Sequence, residues 1–519
     1  MQKLAQIVLY NQLRDDYLHP EYTHIVYIHN TGKIKFQWQD LELNIHSKII
    51  DYAWWREYIR SLQEKGKKAD FLIESSFFRW IIKHAAKNKI KKYGIVKPVE
   101  DYVYKNFLKI KKKLEKVSVE LEFLPDTQSF FLSHEDFLKQ YKKPPIMEYF
   151  YRFMRKREHI LMDENNEPQG WKWNYDAENR KFDKKHTRSW SFSLEKNNSV
   201  EEAEKYYSPL SNFPPQGALS PAWSGIHLVP EGERASSHYN LPNFIPTNRS
   251  EALELLEYFC ENHLENFGKL EDAMYKKDNY VHHSLLSTAI NFGFLSPREV
   301  LERALSEPNI PLSSLEGFVR QILGWREYMY HFFQFYKDTI HTENYFSHTR
   351  KLPSYFWSDA ELCEMNCLSQ TLKQVQSEHY SHHIQRLMVI GNFALLSGLD
   401  PHELNRWFFE YYTDAFEWVV TPNVLSMSQF ADGGKLATKP YIASANYINS
   451  MSDYCKNCHY NPKEKYTENA CPFNYLYWNF VADNKTAFEK RQPFIVKNLT
   501  KIDLEKVREQ KEKFLKTSL

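Results

Sequence analysis

The stretch Ser444-Ala-Asn-Tyr-Ile-Asn-Ser-Met-Ser-Asp-Tyr-Cys455-Lys-Asn-Cys458, followed after twelve residues by Cys471-Pro472, carries the strongest chemical signal in the chain. Three thiolates at this spacing can converge on one metal centre, and a cysteine followed by proline recurs at the end of iron-sulfur ligand runs. A zinc knuckle would use the same spacing, so ligand count leaves zinc and a [4Fe-4S] cluster equally open. A fourth ligand must come from elsewhere. Cys363 and Cys367, four residues apart and so on one helical face, are the candidates, whereas Cys260 reads as a small buried apolar residue.

Working outward, 519 residues with 42% hydrophobic content can bury a large core and divide into two or three domains. Aromatics reach 16%, which suits a protein that stacks flat rings as well as one with tightly packed helices. The net charge is +2, from 68 Lys and Arg against 66 Asp and Glu, so total charge does not announce a nucleic-acid partner. Its distribution says more. Basic runs at Lys109, Lys111, Lys112, Lys113 and at Arg152, Arg155, Lys156, Arg157 are candidate phosphate contacts, and 251–272 is acidic. No run is long and apolar enough for a membrane helix, and Ile7-Val8-Leu9-Tyr10 is too short for a signal peptide, so a cytoplasmic protein is expected. Six cysteines in such a compartment do not make a disulfide framework.

Residues 1–130 alternate β-rich runs (Gln6 to Tyr10, His24 to His29, Ala69 to Glu74) with helical stretches such as Ile49 to Lys65, the pattern of a parallel α/β domain. From 131 to 245 Pro144-Pro145, Pro214-Pro215 and Pro242 interrupt aromatic and charged residues, which reads as a connector between domains. Residues 246–519 turn helical, with amphipathic periodicity over 316–336, 369–398 and 401–419, and form an all-α domain. With only 15 glycines, a G-x-G-x-x-G nucleotide fold is disfavoured.

Met427-Ser-Gln-Phe-Ala-Asp-Gly-Gly434, Thr438-Lys-Pro-Tyr441 and the stretch from Ser444 to Cys455 closely resemble the bacterial photolyase-related proteins that carry an iron-sulfur cluster. The same family is echoed in Met147-Glu-Tyr-Phe-Tyr151, Trp173-Asn-Tyr-Asp-Ala-Glu-Asn-Arg180, His283-Ser-Leu-Leu-Ser287, Gly324-Trp-Arg-Glu-Tyr-Met329, His382-His-Ile-Gln-Arg-Leu-Met388 and Cys471-Pro-Phe-Asn-Tyr-Leu-Tyr-Trp478. The resemblance covers roughly 145 to 480. It implies an α/β antenna domain, a long linker and a helical domain holding FAD and a [4Fe-4S] cluster, the photolyase and cryptochrome architecture. The activity implied is light-driven repair of (6-4) photoproducts in DNA or, in the alternative, blue-light reception by a cryptochrome-like protein of the same fold.

Carried over by residue, the resemblance makes Cys367, Cys455, Cys458 and Cys471 the cluster ligands, because the family's first ligand ends a string matching Met365-Asn366-Cys367. It places FAD against His283, Ser284, Leu285, Leu286 and Ser287, with Gln321, Trp325, Arg326, Arg386 and Asp414 as further neighbours. His382 and His383 fall on the lesion-facing element, and histidine can donate and recover a proton near neutral pH. Met427 and Tyr441 fall in the lesion pocket, and Trp407 and Trp357 match the inner and outer members of the family's electron route. UV-damaged DNA is the implied partner, and the protein is expected to be a monomer.

The chain also departs from the family. Phe408 stands after the inner Trp where a characterised relative carries tyrosine, and Val420 stands where an acidic side chain lies near the flavin. Tyr10-Asn11-Gln12-Leu13 replaces a Gly-Asp-Gln-Leu turn, and Ile28-His29-Asn30-Thr31 replaces an acidic segment. The carboxylates that cradle a 6,7-dimethyl-8-ribityllumazine antenna are therefore missing, although Asn11 offers hydrogen bonds to a polar ring. An iron-sulfur nucleic-acid processing protein without flavin is a third reading, and it leaves His382, Met427 and Tyr441 without a shared role.

Overall fold

A computed structural model describes residues 3–22, 24–29, 34–35, 40–41, 45–73, 77–186, 190–207, 241–489 and 492–518. The chain divides into two compact units. The first comprises Met1–Ser133, Phe192–Glu257 and Leu285–Val300, and the second His134–Ser191, Tyr258–Ser284 and Leu301–Leu519.

The first unit is built on five parallel strands: β1 (Lys3–Val8), β2 (His24–His29), β3 (Lys68–Ile73), β4 (Ile90–Val96) and β5 (Glu120–Leu124), in the order β3-β2-β1-β4-β5. Ile7 pairs with Val26 on one side and Ile95 on the other, and all three are fully buried in the sheet core. Helices α1 (Ile45–Glu64), α2 (Phe77–Asn88) and α3 (Asp101–Glu115) connect successive strands from β2 onward, as parallel pairing requires. The strand expected over Gln6 to Tyr10 ends earlier, because the Gln12 amide bonds back to the Leu9 carbonyl at 2.9 Å and turns the chain. Glu74, expected at the end of β3, lies outside the described residues, as do Asn30, Thr31, Pro214 and Pro215.

Much of the expected connector 131–245 is structured. Helices His134–Gln140 and Met147–Glu158 belong to the second unit, and Phe150, Tyr151 and Met154 are fully buried there. Helix Asn198–Tyr207 packs in the first unit on α1, where Arg56 bonds Glu202 at 2.9 and 3.0 Å. Their apolar residues supply the buried area that a free connector would lack.

The second unit is helical. Three seven-residue π-helical segments interrupt its described helices: Arg320–Arg326, Gln385–Gly391 and Pro422–Ser428. Such segments are rare and concentrate at functional sites. Among the described residues no helix is long and apolar enough to cross a membrane.

Candidate active site

All three π-helical segments carry residues singled out from the sequence: Gln321, Trp325 and Arg326 on the first, Arg386 on the second and Met427 on the third. Arg386 pairs with Asp414 through two hydrogen bonds of 3.0 and 2.9 Å, gives its Nε to the Ser381 carbonyl at 2.7 Å, and lies 4.1 Å over the ring of Tyr412. The Asp414 side chain is 6% exposed and that of Arg386 19%, so this is a nearly dry ion pair that fixes one wall of a site.

The histidines form the next wall. His382 is buried and stacks on His283 with centroids 4.3 Å apart and planes at 14°. Neither ring nitrogen of His382 has a hydrogen-bond partner, nor does Nε2 of His283. Buried polar atoms without partners are rare, and a polar ring bound beside them would supply partners. Burial holds His382 well below the usual imidazole range, reinforced by His283, His383 and Arg386. His383 differs, because it contacts solvent although protein surrounds it, the position of a side chain lining a recess. Its pKa is lowered by that surrounding protein and then by the positive charges of Arg386 and Arg180.

Arg180 was not singled out from the sequence, and the structure makes it central. Its Nε bonds Glu271 at 3.0 Å, with Asp176 at 3.2 Å and Asp272 at 3.9 Å, and its charge reaches both His383 and Tyr441. Burial pushes Glu271 up to about 7 against the pull of Arg180. Tyr441 is half-buried with its hydroxyl pKa raised by burial, and Met427 is buried. Gln321 donates to the Gly317 carbonyl at 3.1 Å, and the Arg326 guanidinium lies 4.9 Å over Trp418. His283 and Ser284 belong to the second unit, and Leu285, Leu286 and Ser287 to the first. Val420, the position of the missing acid, is buried.

Cys367, Cys455, Cys458 and Cys471 line a single cavity, closed also by Tyr454, Tyr460 and Phe473. Local structure explains their convergence. Cys367 sits in the first turn of helix Asn366–Glu378, Cys455 in the turn Tyr454–Asn457, and Cys471 caps helix Pro472–Asp483, whose proline opens the helix directly behind it. Two helix N-termini thus face the sulfurs and favour thiolates. Burial and the neighbouring thiols push Cys455 up to about 12 and raise Cys367 and Cys471 as well, so these sulfurs ionise only with a compensating cation. Cys363 is buried outside the set that lines the cavity, and its pKa is likewise raised by burial. Among the described residues, no group of three or more His, Cys, Asp or Glu side chains closes on a point as a single ion requires. The cysteine cavity also communicates with the histidines: the Gln385 amide bonds the Tyr454 hydroxyl at 3.1 Å and its oxygen accepts from the His382 amide at 3.1 Å.

In the first unit, Asn11 follows β1, where the strand order reverses and α/β sheets bind ligands beyond the strand ends. Its side-chain oxygen is buried without a hydrogen-bond partner. Gly293, at φ +71°, lies so near that a Cβ there would come within 2.2 Å of the Asn11 carbonyl. The basic run divides in the structure. Arg155 is buried and donates to the carbonyls of Ile160, Leu161 and Trp173, which makes it a structural residue. Lys156 and Arg157 remain exposed.

The model for deoxyribodipyrimidine photo-lyase-related proteins matches residues 46–208. Over 364 residues the chain is 42% identical to a (6-4) photolyase of Agrobacterium fabrum, covering 69% of this chain and spanning 66% of that protein's length. Over 104 residues it is 38% identical to an uncharacterized protein of Acanthamoeba polyphaga mimivirus, covering 20% of this chain and 77% of that protein. A bacterial class III photolyase from Agrobacterium tumefaciens superposes with a TM-score of 0.59 at 14% identity over 100% of this chain and 97% of the other. A cryptochrome from Synechocystis gives 0.57 at 13% over 95% and 92%. At these identities the structural likeness concerns the fold, an α/β domain with a parallel sheet joined in one chain to a helical region, as in photolyases and cryptochromes.

Proposed function

The chain belongs to the photolyase-related family, and we propose that it repairs (6-4) pyrimidine-pyrimidone photoproducts in DNA by light-driven electron transfer from reduced FAD. The observation that carries this reading is the stack of buried His283 and His382 with unpartnered nitrogens, next to a solvent-exposed His383 that feels the charges of Arg386 and Arg180.

Bound FAD supplies light-driven one-electron chemistry, and the protein's share is to orient it and exclude competing reactions. His283, Ser284, Leu285, Leu286 and Ser287, with Gln321, Trp325, Arg326, Arg386 and Asp414, would hold it. The Arg386–Asp414 pair presents fixed charge in a dry wall, and the free nitrogens of His382 and His283 are donors or acceptors for a polar ring edge. His383 carries the proton that makes electron return productive. Its lowered pKa leaves it neutral at pH 7, and negative charge entering with DNA raises it toward the working pH. Tyr441 contributes a hydroxyl held protonated by burial, and Met427 an adaptable apolar wall.

Cys367, Cys455, Cys458 and Cys471 would hold a [4Fe-4S] cluster. A single zinc ion needs its ligands to close on one point, which among the described residues they do not, whereas a cluster needs four sulfurs lining one cavity. A lumazine antenna would lie beyond the end of β1 against Asn11. The DNA partner would meet exposed cations such as Lys156 and Arg157, and the protein would act as a cytoplasmic monomer.

The test is illumination of single- and double-stranded oligonucleotides carrying one defined lesion, with dark controls and a cyclobutane dimer alongside. Restoration of the (6-4) lesion alone supports the reading. Repair of the dimer alone would reassign the substrate, and a flavin-loaded protein that repairs neither would be a photoreceptor.

A further inference from the structure

Helix Pro401–Tyr411 sets a phenol, Tyr411, between the two tryptophans of the expected electron route, Trp407 and Trp357. Asp400 caps that helix by accepting from the His402 and Glu403 amides, and Pro401 opens it. The start of the helix is therefore fixed, and Trp407 and Tyr411 fall one above the other at i and i+4. Their rings stack with centroids 5.2 Å apart and planes at 25°. On its other side Tyr411 meets Trp357 at 6.3 Å and donates its hydroxyl to the Trp357 carbonyl at 2.8 Å. Trp407 in turn touches Tyr412 at 5.8 Å, the ring on which Arg386 rests. Phe408 stacks on Tyr412 at 4.8 Å.

We propose that Tyr411 is the relay that carries electrons between Trp357 and Trp407 when the flavin is reduced by light. The proposal rests on the flavoprotein reading above. One electron leaves Trp357, passes through Tyr411 and Trp407, and enters the light-excited oxidised flavin. The hole on half-buried Trp357 is filled by a soluble thiol, which is oxidised to its disulfide and releases its proton to water. No bond in the protein breaks. Tyr411 suits a relay better than a resting place for the hole, because its hydroxyl faces a carbonyl, which accepts a hydrogen bond but not a proton.

The test compares wild type, Tyr411→Phe and Tyr411→Trp, each loaded with FAD and illuminated with a thiol, reading flavin bleaching and the electron paramagnetic resonance signal of the tryptophan radical. Tyr411→Phe should keep flavin content while photoreduction slows about tenfold or more and the Trp357 radical is lost, and Tyr411→Trp should restore both. Wild-type bleaching and radical yield in Tyr411→Phe would overturn the relay, as would equal slowing in both variants, which would mean a structural role. Repair by chemically reduced Tyr411→Phe separates the two readings: at wild-type rate the defect lies in the route alone. A chemically reduced wild type without repair would overturn the proposed function while the photoreduction result still decides the relay.

Discussion

Asp414→Asn tests whether the Arg386–Asp414 pair shapes the site. Asparagine keeps the shape and one acceptor but removes the charge opposite a guanidinium that is 19% exposed. Removing one partner of a buried pair costs about 3–5 kcal/mol because the other charge stays uncompensated. Arg386 keeps its bond to the Ser381 carbonyl and its place over Tyr412, so about 2–3 kcal/mol is expected here. The urea midpoint should fall accordingly and the fraction of retained FAD should drop with it. Since buried charges are weakly screened, high salt should leave the difference in place. An Asp414→Asn protein with the wild-type midpoint and full flavin would refute a structural and cofactor-holding role for the pair.

Cys458→Ala should lose iron and sulfide and unfold at lower urea, since the cysteine set joins chain segments as far apart as Cys367 and Cys471; a stable variant retaining full iron would remove Cys458 from the ligands. His263 predicts acid lability. Burial, and then His282, holds it at about 3, below its unfolded value near 6.5, so its contribution is intact above pH 6.5 and is lost as pH falls toward 3. At pH 5 the loss amounts to about 2 kcal/mol. His263→Phe, which keeps a ring against Trp190, should lose less stability between pH 7.5 and 5 in urea titrations; an equal loss would place the lability elsewhere.

The parallel strands were legible because β-branched runs recur between helical stretches, and the cysteine set because Cys455, Cys458 and Cys471-Pro472 stand close in sequence. Choosing Cys367 over Cys363 took the family resemblance, since a helical face offers both. The helix Met147–Glu158 was obscured by Pro144-Pro145 and its charges, although Met147, Phe150, Tyr151 and Met154 already repeat at helical spacing. Arg155 misled for a related reason: charge marks a phosphate contact only when the side chain reaches solvent, and three carbonyls hold this one inside. Arg180 had no periodicity to announce it, since it acts through residues distant in sequence such as Glu271 and His383. Tyr411 could have been found, four residues after Trp407 on a helix whose Asp-Pro start is plain in the sequence. The π-helical segments left no signal, because their extra residue is a tertiary accommodation.

Whether His383 performs repair chemistry and does not merely bind is decided by single-turnover repair of a (6-4) lesion by pre-reduced wild type and His383→Ala. His383→Ala should keep FAD, the cluster and lesion affinity while repair slows by about 10² or more, the scale of a lost general acid. Repair at the wild-type rate by a fully loaded His383→Ala protein would contradict it.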